Sequence, residues 1–258
     1  MSFNVLMIGD VVGKLGRRTV AAVLPELRGS LEVDLVIANG ENTAGGRGLT
    51  PATAQNLYDA GVDVLTSGNH IWENREVYPL LDGDDPVIRP LNYPDGTPGD
   101  GVYKQNGVAV VNLMGRTFMG LNLDCPFRAV DGALAGLDEY PIVLVDLHAE
   151  ATSEKVGMGH YLDGRVSAVV GTHTHIPTAD ARVLPNGTAY VSDLGMVGAL
   201  NSVLGMETKP VLERFLTQRP NRWNPVGKGP AIFNSVIITI DQASGRATKI
   251  ERVDREVE

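Results

Sequence analysis

Thiol chemistry is almost absent from this chain: Cys125 is its one cysteine, so no intrachain disulfide can form. Aromatic residues are scarce at 5%, which leaves the core to Val, Leu, Ile and Ala. No apolar run approaches the ~18 residues that cross a bilayer. The opening segment, Met1–Asp10, has neither a basic n-region nor a small-residue cleavage site, so it does not read as a signal peptide. The cytoplasm is the expected compartment, with no membrane partner. Basic residues are in deficit, 22 against 31 acidic, for a formal charge of −9. That balance argues against a broad nucleic-acid surface and leaves room for a local cationic site that binds phosphate. Several catalytic signatures are missing too. Gly9-x-x-x-Gly13-Lys14 is one residue short of a P-loop and lacks the following Ser or Thr. Gly45-Gly46-Arg47-Gly48 does not open a G-x-G-x-x-G helix, and there is no G-x-S-x-G elbow or H-E-x-x-H. What the chain has in excess is glycine, 30 of 258 residues, against a usual ~7%.

The order of patterns predicts an α/β fold. Phe3–Ile8 reads as a buried strand stopped by Gly9-Asp10. Gly16–Gly29 has helical spacing of Val20, Val23, Leu24 and Leu27, with Pro25 a candidate kink. Asp34–Ala38 is a second strand. Thr50-Pro51 opens a helix that Gly61 closes, and Val62–Thr66 is a third strand. Strand and helix thus alternate as in a parallel sheet. Further on, Asn106-Gly107 marks a hairpin within Tyr103–Leu113. Gly115–Arg128 reads as a loop and Gly132–Tyr140 as a helix. Pro141–Leu147 and Val166–Gly171 are buried strands flanking a helix over Thr152–Leu162. Arg182–Ser192 reads as a hairpin around Pro185-Asn186-Gly187, and Ile232–Ile240 with Arg246–Val253 as another. The proline-rich stretch 205–230 is an ordered excursion containing one helix. No repeat or linker interrupts residues 1–258, so one domain is expected.

Five of the expected strands run straight into residues suited to bind a cation. These are Asp10; Glu41 and Asn42; Asn69 and His70; His148; and His173 with His175. Taken singly they have ordinary explanations: a turn aspartate, solvated loop residues, a left-handed Asn, a hydrogen-bonded histidine. Imidazoles two apart in an extended segment, as in His173-x-His175, would point to the same side. Ligands in open α/β sheets bind outside the carboxyl ends of strands, so loops from one sheet edge could bring all these groups together. Carboxylate, amide and neutral imidazole suit Mn²⁺, Fe or Zn²⁺, whereas an all-oxygen set favours Mg²⁺ or Ca²⁺. So many donors exceed one site; two ions ~3.5–4 Å apart, bridged by a carboxylate such as Glu41, fit better.

The ordered set Gly9-Asp10, Gly40-Glu41-Asn42, Gly68-Asn69-His70, His148 and Gly171-Thr172-His173-Thr174-His175 resembles the motifs of calcineurin-like metallophosphoesterases. Gly9–Gly13, Asn39–Gly48, Gly115–Phe118 and Asp146–Ala149 are similar to the YmdB-like bacterial branch, whose members are 2′,3′-cyclic-nucleotide phosphodiesterases. Two positions depart from the broad superfamily. Val12 stands where it has a histidine, and Glu41 replaces its bridging Asp. The resemblance implies a layered α/β/β/α sandwich and two metal ions per chain, Fe or Mn first and Zn as a further option. One ion would be held by Asp10, Glu41, Asn42 and His175, the other by Glu41, Asn69, His148 and His173.

Two such cations would stabilise a bridging hydroxide that attacks phosphorus in line. His70, beside Asn69 and not itself a ligand, would protonate the leaving alkoxide. Arg116 and Arg47 lie in Gly-containing loops and are candidates for holding phosphate oxygens, against the plain reading of each as a solvated charge. Cys125 reads as a free thiol in a loop. The expected activity is a metal-dependent phosphodiesterase acting on small phosphodiesters, 2′,3′-cyclic nucleotides first, with RNA degradation products as possible partners. A phosphomonoesterase, or a non-catalytic nucleotide- or metal-binding regulator, is the alternative. Base preference, the bond that opens, the native metal and any homo-oligomer are not set by the sequence.

Overall fold

The computed structural model describes residues 1–258. β1 (Ser2–Val11) is followed by α1 (Gly13–Ser30), β2 (Leu35–Asn39), α2 (Pro51–Asp59), β3 (Val64–Thr66) and the one-turn α3 (Tyr78–Leu81). β1 and β2 pair in parallel, as do β2 and β3. β12 (Ser235–Asp241) runs antiparallel along the other side of β1 and pairs with β13 (Ala247–Arg252). The second sheet has the order β4 (Val102–Gln105), β5 (Val108–Met114), β6 (Ile142–His148), β7 (Ala168–Thr172), β9 (Ala189–Val191), β8 (Arg182–Val183). Its four central strands are parallel and its two edge strands antiparallel.

Alternation along the strands assigns the faces. Val5 and Met7 of β1 meet Val108, Val110, Ile142 and Leu144 in a core between the two sheets. The intervening Leu6 and Ile8 turn the other way, onto Leu24 of α1 and Leu57 of α2. On the second sheet Ala109, Val111, Val143 and Val145 pack with Val130 of α4 (Pro126–Leu134) and Met158 of α5 (Thr152–Leu162). The result is an α/β/β/α sandwich, with helices covering the outer face of each sheet.

Three expectations change. β1 does not stop at Gly9-Asp10. It continues to Val11 because Asp10 and Val11 pair with Met196 and Val197 of β10 (Met196–Ala199), a strand the sequence did not signal. A Cβ on Gly9 would lie 1.9 Å from the Gly195 carbonyl oxygen, so that glycine serves a close approach and not a turn. Pro25 lies inside α1, as expected, with Val20, Leu24 and Leu27 buried on either side of it. α4 starts at Pro126, within the segment read as a loop, and stops at Leu134, so of the expected Gly132–Tyr140 helix only Gly132–Leu134 is helical. Proline at the first helical position needs no amide partner, and buried Val130 anchors this earlier start. Finally, the expected Ile232–Ile240 strand breaks at Asn234 into β11 (Ala231–Phe233) and β12, and β11 also pairs with β14 (Arg255–Val257). The 205–230 excursion carries one helix, α6 (Thr208–Thr217).

Candidate metal centre

The carboxyl ends of the parallel strands of both sheets meet at one edge of the sandwich. Asp10 comes from β1; Glu41 and Asn42 follow β2; Asn69 and His70 follow β3; His148 ends β6; His173 and His175 follow β7. His148 Nε2 is the hub, 3.0 Å from Glu41 Oε1, 2.9 Å from Asn69 Oδ1 and 3.0 Å from His173 Nδ1. Asp10 Oδ1 lies 3.8 Å from His175 Nε2 and 3.9 Å from His148 Nδ1. Its Oδ2 accepts the His173 backbone N–H at 3.1 Å. Glu41 Oε2 accepts the backbone N–H of His70 at 2.8 Å. All eight residues therefore border one region, drawn from both sheets.

The two histidines after β7 do not converge by strand alternation. His173 has φ 99° and His175 φ 65°, so the chain turns through the left-handed region at both. Such conformations are costly for a residue with a Cβ and persist only where neighbours impose them. The bond from His173 N–H to Asp10 and the contact of His175 Nδ1 with the Leu204 carbonyl, at 3.1 Å, impose these. That second contact puts the proton on Nδ1 and leaves His175 Nε2 to face Asp10.

His148 is oriented in the same way. The Thr172 hydroxyl donates to Asp146 Oδ1 at 2.8 Å and so can accept from His148 Nδ1 at 3.0 Å. Asp146 Oδ2 accepts from Thr66 at 2.5 Å. Thr172 thus holds the His148 ring with Nε2 turned toward Glu41, Asn69 and His173, as second-layer groups do for metal-binding imidazoles. Sequence reasoning gave no role to Asp146, Thr172 or Thr66. The usable signal was that Asp146 lies two residues before His148 on one strand and shares its face.

Asp10 and His148 are fully buried and Glu41 is 1% exposed. Burial pushes the Asp10 carboxyl upward against the pull of His175 and His148. Burial acts the same way on Glu41, but contact with His148 outweighs it and brings that carboxyl down to about 2. His148 is opposed by burial yet raised to about 9 by Glu41 and Asp10. Burial, then the charge on His148, drives His173 down to about 3. In the metal-free protein a proton on His148 thus stands where a cation would balance two buried carboxylates.

The donor set fits such a cation. Asp10 Oδ1 and Asn42 Oδ1 are buried with no hydrogen-bond partner, and the Glu41, His148 and His173 donor atoms lie within 4.8 Å of one another. Buried oxygens are rarely left unpaired, so two such atoms beside clustered imidazoles mark a place for a positive ligand.

His70 is placed differently. Its backbone binds Glu41, while its Nδ1 is buried without a hydrogen-bond partner, 3.5 Å from Glu73 Oε1. Its ring lines a cavity of about 370 Å³ together with Glu41, Asn42, His173 and His175. The cavity's apolar lining is Val203, Leu204, Met206, Val211, Phe215 and Trp223, all from the segment between β10 and β11. Arg47 lines this cavity. Arg116 does not; it faces a separate cavity of about 670 Å³ with Lys104 and Arg128. Cys125 borders that second cavity and is a free thiol immediately before α4.

Comparison with known proteins agrees with this architecture. Residues 6–253 match the family model described as YmdB-like protein. The chain is 45% identical to the 2′,3′-cyclic-nucleotide 2′-phosphodiesterase of Bacillus subtilis (strain 168), covering 97% of this chain and 96% of that one. A hypothetical protein from Thermus thermophilus superposes with TM-score 0.93 at 47% identity, over 98% and 99% of the two chains. A novel phosphatase from Mycoplasma pneumoniae superposes with TM-score 0.93 at 32% identity, over 99% and 94%. With its calcineurin-like α/β/β/α sandwich, the chain belongs to the YmdB-like family and is a phosphoester hydrolase.

Proposed function

We propose that the protein is a metal-dependent phosphodiesterase of the cytoplasm, acting on 2′,3′-cyclic nucleotides of the kind RNA breakdown releases. The observation that carries this reading is the convergence of seven metal-type donors, two with unpartnered buried oxygens, four of which (Glu41, Asn42, His173 and His175) line a cavity that also has apolar lining residues. The 45% identity to a phosphodiesterase of that specificity supports the substrate.

Asp10, Glu41, Asn42 and His175 would hold one ion, and Glu41, Asn69, His148 and His173 a second, Fe or Mn in preference to Zn. Bound there, the ions supply acidified water as nucleophile and neutralise charge on the phosphoryl oxygens. The chain's own residues do the remaining work. The Glu41 carboxylate faces His148 with one oxygen and the His70 N–H with the other, so it ties the ligand set to the residue beside the substrate. The His70 imidazole, in the cavity and outside the donor cluster, delivers a proton to the departing ribose oxygen. The Arg47 guanidinium binds non-bridging phosphate oxygens. The apolar wall keeps water from the nucleoside side of the cavity and seats the sugar and base.

The test is a metal count joined to a substrate panel. Protein stripped with chelator and reloaded with Mn²⁺ or Fe²⁺ should bind close to two ions per chain and regain hydrolysis of 2′,3′-cyclic nucleotides. One ion in fully active protein would refute the dinuclear reading. Faster hydrolysis of phosphomonoesters than of cyclic nucleotides would make it a phosphomonoesterase.

A further inference from the structure

Beside the candidate centre lies a third cavity, of about 400 Å³. Arg47, Arg214 and Arg222 all line it, and no acidic residue does. That is unexpected in a chain of net charge −9. None of the three guanidiniums is in an ion pair; the arginines that are paired are Arg28, Arg165 and Arg252. The two cavities share a boundary, because Arg47, Met206 and Trp223 line both.

Trp223 is fixed at that boundary. Its Nε1–H donates to Asn221 Oδ1 at 3.0 Å, the Arg214 guanidinium lies 5.2 Å from the ring centre, and Phe215 meets it edge-on at 6.4 Å. Between the donor cluster and the arginines there is thus an apolar aromatic span, suited to a sugar and base. A molecule whose scissile phosphodiester sits at the donors and whose nucleoside crosses this span would present its far end to the uncompensated guanidiniums of Arg214 and Arg222, with Arg47 at the boundary beside the scissile phosphate. Guanidinium pairs with phosphate through two parallel hydrogen bonds, and no carboxylate here competes for it.

We propose that the arginine cavity is a second phosphate-binding subsite, and that the substrate class is a 2′,3′-cyclic nucleotide bearing a phosphate on its 5′ oxygen. This rests on the phosphodiesterase reading above. The 5′-phosphate could be terminal, or could be the internucleotide phosphate of a short oligonucleotide ending in a cyclic phosphate. Both offer the arginines the same chemistry.

Three substrates separate the cases: adenosine 2′,3′-cyclic phosphate, its 5′-phosphorylated form, and the dinucleotide adenylyl-adenosine with a 2′,3′-cyclic end. At least one 5′-substituted form should have a kcat/KM ~10-fold or more above that of the simple cyclic nucleotide, as one or two charge-assisted hydrogen bonds would produce. The Arg214→Gln/Arg222→Gln variant should bring that ratio close to one, and added salt should reduce it in the parent protein. Because both positions are exposed, the variant is expected to fold. A ratio near one in the parent, or an advantage that survives the double variant, would overturn the subsite.

Binding supplies a readout free of catalysis. In calorimetry on metal-free protein, adenosine 5′-monophosphate should bind ~10-fold or more tighter than adenosine, and the double variant should abolish the difference. If no cyclic compound turns over, the phosphodiesterase reading fails. The calorimetric comparison then still decides the subsite, with equal affinities counting against it.

Discussion

Gly68 has no side chain because the His148 ring occupies the space one would fill. A Cβ there would lie 2.2 Å from ring carbon Cδ2 and 2.4 Å from Nε2. That contact is with the nitrogen that faces Glu41, Asn69 and His173, and the ring is pinned from behind by Thr172. Gly68→Ala should therefore displace His148 and weaken metal binding by ~10-fold or more. Elemental analysis of the variant decides it; a full complement of metal would show that the ring has room to yield. His70 is expected to behave in the opposite way. His70→Ala should keep its metal while kcat on 2′,3′-cyclic nucleotides falls ~10²-fold or more. With p-nitrophenyl esters the loss should be smaller, since that leaving group departs without a proton. Equal losses on both substrates would assign His70 another role.

At the scale of elements, the legible parts were those with local chemistry. Thr50-Pro51 opens α2 as expected, with the Thr53 N–H donating to Thr50 Oγ1 at 3.2 Å and Thr53 Oγ1 receiving the Thr50 N–H at 3.0 Å. Thr50→Ala should lower stability by ~1 kcal/mol and leave metal content unchanged, as thermal melts and elemental analysis would show. Asn106-Gly107 turns the β4–β5 hairpin with both residues at positive φ, the geometry this dipeptide favours. The elements that escaped were short and defined by partners distant in sequence. β10 has four residues and exists because its edge meets Asp10 and Val11 of β1. α4 was misplaced because its start depends on Val130 meeting the outer face of the second sheet.

For the whole molecule, Asp10, Glu41, Asn42 and Asn69 come from the first sheet, and His148, His173 and His175 from the second. The proposed ligand set is assembled only while the core between the sheets is intact, so binding a cation should stabilise the entire sandwich. Stripping the metal should also change how stability depends on pH. Above about pH 7 the metal-free native state keeps a proton on His148, raised to about 9, that the unfolded chain gives up near its ordinary 6.5. The native state is then the more protonated one, and stability falls as pH rises toward 9. Asp146, lifted to about 6 by burial, has finished titrating below this window; His173, held at about 3, makes stability rise with pH only below 6.5. Melting temperatures in chelator should therefore decline from pH 7 to 9, and bound metal should flatten the decline. The same slope with and without metal would contradict it.

The sequence by itself determined the alternation of strands and helices, and the position at strand ends of the residues proposed as donors. Apolar periodicity and the residue after each run are local properties of the chain. The resemblance of the ordered motifs to those of a known family also pointed to the family to which the chain belongs. Only the tertiary structure decided how the donors meet. His173 and His175 converge through left-handed turns that contacts to Asp10 and Leu204 impose, not through strand alternation. Thr172 and Asp146 acquire their role because β6 and β7 pair in a register that sets His148 beside Thr172. Arg47 and Arg116 looked alike in sequence, each in a glycine-containing loop, yet they line different cavities. Which cavity a flexible cation faces depends on where its loop is folded, and that is set by contacts between residues far apart in the chain.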